Sequence, residues 1–494
     1  MSRSTPLPFP SAAAPLRLAA PVLCALLAGC AEGPDFERPA PPRVDAYAAP
    51  RDASAASGAQ RLQDGVDIPA QWWQLFRSEA LDQLVRQAVQ ASPTLEQARA
   101  RLRQANEDLN AETGGRMLPQ VDGNLSVTRQ KVDPAAFGVP VAEQPPPFTL
   151  YNASIDVSYT LDVFGGNRRA LEGLGAQVNY QAHELQAARM SLAANVVTAA
   201  IRQADLNERL ADTRALLAAQ ERQQDIMRQR QQAGGVSEAD LRNQELLVAQ
   251  TRATLPPLEY QLAQATHQLA AYLGLAPAEL RSAPLRLADL TLPADVPTGV
   301  PSALTRQRPD ILAAEALWHQ ASANVGVAVA NQYPQFTLTA SFGSQRTRAG
   351  DLSDGLNVWS LGLGLVQPLF HGGELRARTR SAEAASAAAA AGYRQTVLEG
   401  LRQVADALRA VQTDGDAYLA SDEAWRRAAQ AERIAHGRYQ AGGIRPRSLL
   451  DSQRQLLQTR IARTAADAAR HADTAALLQA LGGGWWNETS ADAP

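Results

Sequence analysis

Cysteine is nearly absent from this chain of 494 residues; only Cys24 and Cys30 occur, both near its start. A disulfide framework is therefore excluded. Lysine is scarcer still, with Lys131 alone, so arginine supplies nearly all the positive charge and the net charge is only −3. Such a balance leaves no electrostatic footprint for nucleic acid. Aromatic residues make up 5% of the chain, fewer than compact enzyme domains bring to their cores. Beyond Cys30 no apolar run approaches the ~18 residues that a transmembrane helix requires, which leaves β-strands or an attached lipid as the means of meeting a membrane. The histidines His183, His267, His319, His371, His436 and His471 include no i, i+3 or i, i+4 pair that could hold zinc on one helix face. They read as surface or packing residues. No G-x-S-x-G, Walker loop or H-E-x-x-H is present, and Gly362-Leu363-Gly364 lacks the third glycine of a phosphate loop. No enzyme, cofactor or metal chemistry is expected.

What the chain does contain begins with Arg3 and Arg17, followed by an apolar stretch that closes on Leu27-Ala28-Gly29-Cys30. A basic segment, a short apolar one and two small residues bring one thiol to the membrane surface for acylation. The expectation is a lipoprotein signal over 1–29 and a mature chain that starts at a lipidated Cys30. The competing reading is an uncleaved anchor with an incidental cysteine. A Pro/Ala-rich segment, 30–70, follows.

The remainder is written twice, at an interval of a little over two hundred residues. Ser92-Pro93 returns as Arg308-Pro309, Leu118-Pro119-Gln120 as Tyr333-Pro334-Gln335, and Val163-Phe164-Gly165-Gly166 as Leu369-Phe370-His371-Gly372-Gly373. Ala233-Gly234-Gly235 returns as Ala441-Gly442-Gly443, and Leu273-Gly274-Leu275 as Leu481-Gly482-Gly483. Such an interval implies a duplicated half-molecule rather than a solenoid. The repeats span 71–290 and 291–484, with a tail at 485–494.

Each repeat is expected to run helix, two strands, one very long helix and a return helix. Val121, Gly123, Leu125 and Val127 alternate with polar residues, as do Ala153, Ile155, Val157, Tyr159 and Leu161. The second repeat matches this with Phe336, Leu338, Ala340 and Phe342, then Trp359, Leu361, Leu363 and Leu365. Period two predicts strands with one apolar face over 121–129, 153–161, 335–343 and 357–367, each about long enough to cross a bilayer at a tilt. Proline-free stretches at 168–232 and 374–440 predict helices of roughly 100 Å. Leu206, Leu210 and Leu217 keep coiled-coil spacing, and Ala384 to Ala391 is almost wholly alanine, which suits close helix contact. Return helices are expected over 237–273 and 448–481.

Four amphipathic strands cannot close a membrane barrel, which begins at about eight. An open edge in lipid leaves backbone groups unpaired at several kcal/mol each, so the chain must pool strands with copies of itself. Eight strands from a dimer or twelve from a trimer both satisfy this. Polar inward faces favour a water-filled conduit over a plugged anchor.

With these residues assembled, the chain resembles the TolC-like outer-membrane efflux proteins, in their lipoprotein, NodT-type branch. The resemblance rests on Leu27-Ala28-Gly29-Cys30, on Gly33-Pro34-Asp35-Phe36-Glu37-Arg38-Pro39, on Trp72-Trp73-Gln74-Leu75-Phe76 leading into Leu81, Leu84 and Ala88, and on the duplicated landmarks. It implies a mainly helical fold with a membrane β-barrel: a homotrimer with a twelve-stranded barrel, four strands per chain, and a helical tunnel across the periplasm. It also implies a periplasmic adaptor protein and an inner-membrane efflux pump as partners, beside the lipid bilayer. The expected function is a passive exit duct for small toxic compounds. Export of proteins through the same duct, and a non-conducting envelope lipoprotein, are the alternatives.

The resemblance further implies a periplasmic constriction at the second Ala-Gly-Gly turn, with Asp451 facing the threefold axis and Tyr439 just before the turn; because three such carboxylates repel, closure would need bridging by Arg438, Arg445 or Arg447, or bound cations. Ser448 stands where some relatives carry a second acid. The residues themselves admit another role, because Ser448-Leu449-Leu450-Asp451 has the form of a capping box, as does Ser237-Glu238-Ala239-Asp240.

Overall fold

The computed structural model describes residues 32–44, 46–47, 60–63, 65–131, 133, 146–281 and 285–487. The expected signal segment 1–29, Cys30, most of the expected first hairpin loop and most of the tail lie outside the described residues. A short strand, β1 (Arg61–Gln63), precedes α1 (Glu79–Ala91) and α2 (Pro93–Met117). Strands β2 (Gln120–Gln130) and β3 (Phe148–Leu161) lead into the 67-residue α3 (Gly166–Gln232), then α4 (Glu238–Ala253) and α5 (Leu255–Tyr272). The second repeat runs β4 (Asp295–Pro297), α6 (Pro301–Gln307), α7 (Pro309–Ala330), β5 (Gln335–Arg346), β6 (Val358–Val366), the 67-residue α8 (Glu374–Gln440) and α9 (Pro446–Ala480).

The return helix expected over 237–273 is two helices. Thr254 ends α4, and Pro256 and Pro257 sit in the first turn of α5, where a missing N–H is tolerated. The second return helix is continuous and starts at Pro446, two residues earlier than expected. Strand β3 starts at Phe148 rather than at 153, because Phe148 to Asn152 extend the ladder against Ser126 to Gln130.

The described residues of Met1–Arg38, Arg103–Tyr180 and Glu315–Gly392 form one compact unit. Its sheet is antiparallel in the order β2-β3-β5-β6, so β2 and β6 are open edges among the described residues. The register sets apolar residues beside apolar ones: Val121 opposite Val157, Ile155 opposite Phe342, Leu338 opposite Leu363. Among the described residues nothing covers this apolar face. Leu125 is 74% exposed, Leu361 70% and Trp359 76%, and burying each such side chain is worth about 1.5–3 kcal/mol. The ten large apolar side chains exposed on this face together select an apolar surrounding over water.

The described residues of Pro39–Leu102, Gln181–Ala314 and Tyr393–Pro494 form the other compact unit, to which the two longest helices also contribute. Trp72 and Phe76 are fully buried there, and the Trp73 indole donates to Asp82 at 2.8 Å. Leu206 and Leu210 of α3 pack on Leu258 and Ala265 of α5, with Leu255 and Leu262 alongside. Coiled-coil spacing thus delivers a core seam. The alanine run of α8 is mostly exposed within the single chain.

Candidate functional site

Two regions carry the features singled out from the sequence, and each is built locally. In the strand unit, the segment after Cys30 is fastened to the base of the sheet. Arg169, 5% exposed at the start of α3, donates to the Glu32 and Gly33 carbonyls at 3.3 and 3.4 Å and to the Asp35 carboxylate at 2.6 Å. The Glu32 amide donates to the Phe164 carbonyl, and Phe36 stacks on His319 at 4.4 Å with Trp318 edge-on at 5.4 Å. Gly33 has φ +97°, and a Cβ there would lie 2.5 Å from the Gly326 Cα. Only glycine permits that approach. Arg169 was not singled out from the sequence; nothing in its surroundings distinguishes it from the adjacent Arg168.

In the helical unit, the second Ala-Gly-Gly turn closes α8. Gly442 takes φ +74°, its N–H reaches the Tyr439 carbonyl at 3.0 Å, and the Gly443 N–H reaches the Arg438 carbonyl at 2.8 Å. These bonds satisfy carbonyls that the helix end leaves orphaned. Arg445 is then the N-cap residue of α9 and Pro446 its first residue, with no side-chain cap. Ser448 is consequently the third residue of α9 and Asp451 the sixth, beyond the first turn. The capping role considered for Ser448 and Asp451 is overturned: capping needs the half-in residue, and Arg445 holds that place. The analogous motif in the first repeat does cap, since Ser237 accepts from the Asp240 amide at 3.1 Å.

Asp451 is exposed, and its one ion-pair partner among the described residues is Arg454, at 3.6 Å on the same helix. Arg438, Arg445 and Arg447 are exposed and form no ion pair among the described residues. Tyr439 differs from all of these. It is 6% exposed, its hydroxyl is buried with no hydrogen-bond partner among the described residues, and the Arg230 guanidinium lies 5.1 Å from its ring centroid. This contact ties the last turn of α8 to the last turn of α3. A cation over a desolvated ring is worth about 1–2 kcal/mol. Arg230 was missed in the sequence because only the folded hairpins bring it to Tyr439; its sole signal is that the duplication equates it with Arg438.

A family model described as outer membrane efflux protein matches residues 84–275 and 300–483. The chain is 32% identical to the pyoverdine export outer membrane protein OpmQ of Pseudomonas putida, over 89% of this chain and 91% of that one. It is 29% identical to nodulation protein T of Rhizobium leguminosarum, over 95% and 94% of the two chains. The solved outer-membrane channel OprN superposes with a TM-score of 0.82 at 30% identity, covering 92% of this chain and 100% of that one. The duplicated plan, the open sheet with its bare apolar face and these likenesses agree: the chain belongs to the outer membrane efflux protein family and is an outer-membrane channel of TolC-like fold.

Proposed function

We propose that three copies pool their sheets into one barrel of twelve strands, held also by lipid on Cys30, and that the assembly is the passive exit duct of a tripartite efflux system. A periplasmic adaptor and an inner-membrane pump would supply coupling and energy. The observation that carries this reading is the sheet itself: among the described residues both edges are open and one face is apolar and bare. In lipid each unpaired backbone group costs several kcal/mol, so only closure with further copies satisfies the edges. The cargo is inferred to be small molecules rather than proteins, in keeping with the relative named for pyoverdine export. Disrupting the gene should sensitise cells to small toxic compounds and leave the secreted proteome unchanged; the reverse outcome would reassign the duct to protein export. Absence of conductance in planar bilayers, for the protein alone and with its partners, would favour a non-conducting lipoprotein.

Asp451 is the residue we assign to the periplasmic constriction. Its exposed carboxylate has lost the capping explanation, and a ring of such groups concentrates cations at a narrow pore. Tyr439 and Arg230 hold the turn beneath it, leaving Arg438, Arg445 and Arg447 free to bridge to a neighbouring copy. Asp451→Asn should lower cation preference and weaken block by divalent cations in single-channel records. Unchanged selectivity and block would remove Asp451 from the constriction.

A further inference from the structure

The apolar face of the four-stranded sheet carries charge of one sign only, and carries it at one end. Side chains alternate along a strand, so the residues of β2 that share a face with Leu125 end at Arg129, and those of β5 that share it with Phe342 end at Arg346. No other charged residue of the four strands falls on this face; Asp122 and Asp156, opposite each other on β2 and β3, lie on the polar one. Both arginines stand at the hairpin-loop end, away from the helices and hence on the outer side. The helix-side end of the same face holds Val121, Tyr159 and Phe336 instead. A cation on a lipid-facing strand is strongly unfavourable at the bilayer midplane and nearly neutral at its boundary. Arg129 and Arg346 therefore mark that boundary.

Arg129 is exposed, and neither arginine forms an ion pair among the described residues, although Asp351 and Asp354 lie in the adjoining loop. The Arg346 guanidinium donates to the Asp351, Gln345 and Gly355 carbonyls at 3.3, 3.4 and 3.4 Å. Carbonyl oxygens pin the loop to it but leave its positive charge uncancelled. Leu356, at the end of that loop, helps to line a groove of about 380 Å³ on the sheet; Leu125, Ile155 and Phe342 are its other large apolar residues, and Gly123 and Ala153 are the small ones between them. Tyr151 is opposite both Val127 and Arg346. From Tyr151 to Ile155 strand β3 descends roughly 14 Å, about half the ~30 Å hydrocarbon thickness of a bilayer. The groove below the arginines is thus about as long as one leaflet is deep.

We propose that this groove and its two arginines bind an anionic, phosphate-bearing lipid of the outer leaflet, with one acyl chain in the groove and the headgroup between Arg129 and Arg346. The site rests on the reading of this face as membrane-embedded and goes further by naming the class of lipid and the residues that select it. Charge complementarity chooses the occupant, since both charges on the face are positive and guanidinium groups match phosphate oxygens. Arg129 is opposite Thr149 and Arg346 opposite Tyr151. Two strand spacings across and two residues along, their Cα atoms are roughly 12 Å apart, a span that a phosphorylated headgroup bridges with two long side chains. A zwitterionic lipid would fit the groove as well but gain less from the arginines. Free phosphate would meet the arginines and gain nothing from the groove.

Native mass spectrometry of the full chain in a neutral detergent tests the site, with phosphatidylglycerol, phosphatidylcholine of the same acyl chains, and inorganic phosphate as the three probes. An arginine beside an anionic headgroup contributes a factor of about five, so the wild type should retain phosphatidylglycerol roughly 25-fold more tightly than phosphatidylcholine. Arg129→Gln should cut that preference to about fivefold. Gly123→Leu should weaken both lipids alike and leave their ratio unchanged, because a Cβ at Gly123 meets nothing within 4 Å and the added side chain fills the groove. Leu356, 75% exposed, can be removed without opening a core; Leu356→Ala should also weaken both lipids alike. Inorganic phosphate should displace neither lipid.

Equal retention of the two lipids by the wild type, or an undiminished preference in Arg129→Gln, would overturn the headgroup contacts. Displacement of phosphatidylglycerol by inorganic phosphate would leave a free-anion site and overturn the lipid. Undiminished retention in a folded Gly123→Leu would overturn the groove, and if that variant does not fold, Leu356→Ala decides the same point. Flotation with phosphatidylcholine vesicles separates the two levels of failure. Protein that does not enter the vesicles would overturn the membrane reading and the site with it, whereas protein that enters them and shows no lipid preference overturns the site alone.

Discussion

In the first repeat Leu206 and Leu210 of α3 face Leu258, Leu262 and Ala265 of α5, with Leu255 beside them. At the offset that separates Ala233 from Ala441, the same positions of α8 and α9 are Asp414, Tyr418, Ala466, Arg470, Asp473 and Arg463. Leu217, buried in the first repeat, becomes Trp425. The apolar seam has thus been exchanged for a polar ladder. The Arg470 guanidinium lies 4.5 Å from the Tyr418 ring centroid, and that of Arg463 lies 4.9 Å from the Trp425 ring and 5.6 Å from Tyr418. Arg463 also pairs with Asp422 at 2.6 Å, and Asp473 shares a hydrogen bond with Asp414. Both hairpins keep helices of 67 residues and the same glycine turn. Backbone length and turn chemistry therefore set the hairpin, and the seam can be filled in two physically different ways. One is indifferent to pH and salt; the other depends on a proton and on directed cation–ring contacts.

The largest effect should come from moving one residue across this comparison. Leu206 is 1% exposed, so Leu206→Asp places a carboxylate in the leucine seam without the second carboxyl that shares a hydrogen bond with Asp414. Lost apolar burial and an unpaired buried charge together should cost about 4 kcal/mol. Thermal unfolding of the assembled protein in detergent, at neutral pH, measures it. A cost near that of an ordinary surface substitution would mean that the first seam is not a closed apolar interior, and the contrast between the repeats would fail.

A smaller effect, with a defined pH window, belongs to the second seam. Burial, and the hydrogen-bonded Asp414 carboxyl beside it, push the Asp473 carboxyl up to about 7. Arg402, Asp406, Arg308 and Asp310 line a cavity of about 630 Å³ that Asp473 also borders. Because the folded state holds this proton more tightly than the unfolded chain does, folding takes a proton up. The pair's stabilisation is therefore complete below about pH 4, is lost as pH rises toward 7, and stays lost above. Asp473 is partly exposed, so screening reduces the difference to about 1 kcal/mol. Asp473→Asn should flatten the melting temperature between pH 5 and 8, while Ala265→Asn at the matching position should leave the pH profile unchanged. A wild-type profile already flat over that range would dissolve the distinction.

How much of this was legible in the sequence follows from how local each signal is. Strand faces were readable because alternation is a property of neighbouring residues, and the glycine turns because φ near +75° calls for glycine wherever it occurs. Pro446 explains why the capping reading failed: Ser448-x-x-Asp451 fits a helix interior as well as a cap, and a proline two residues upstream already supplies the favoured first position. Pro256 and Pro257 likewise marked the break in the first return helix. The ladder of Arg463, Arg470, Tyr418 and Trp425 was hidden for a different reason. Its partners lie some forty residues apart on two helices, and cation–ring geometry has no sequence period. The Arg169 fastening of the residues after Cys30, which spans over a hundred positions, was hidden in the same way.

The smallest predicted effect asks whether the two turns are as alike as their backbones. Gly234 has φ +76° and Gly442 φ +74°, and a Cβ on either would meet nothing within 4 Å. The Gly235 amide reaches the Arg230 carbonyl at 2.7 Å, as the Gly443 amide reaches that of Arg438 at 2.8 Å. A methyl group at either position therefore meets only the left-handed strain of about 1–2 kcal/mol, offset in part by the entropy that alanine removes from the unfolded chain. Gly234→Ala and Gly442→Ala should each cost about 1 kcal/mol in thermal unfolding, and should agree within error. The turns diverge only after the glycines, where Ser237 caps one helix and Arg445-Pro446 opens the other. If Gly442→Ala costs several times more than Gly234→Ala in the assembled protein, the second turn touches something in the oligomer that the first does not. That excess should then disappear in Asp451→Asn if the contact is made by the carboxylate ring, and persist if it is made by the arginines of the turn.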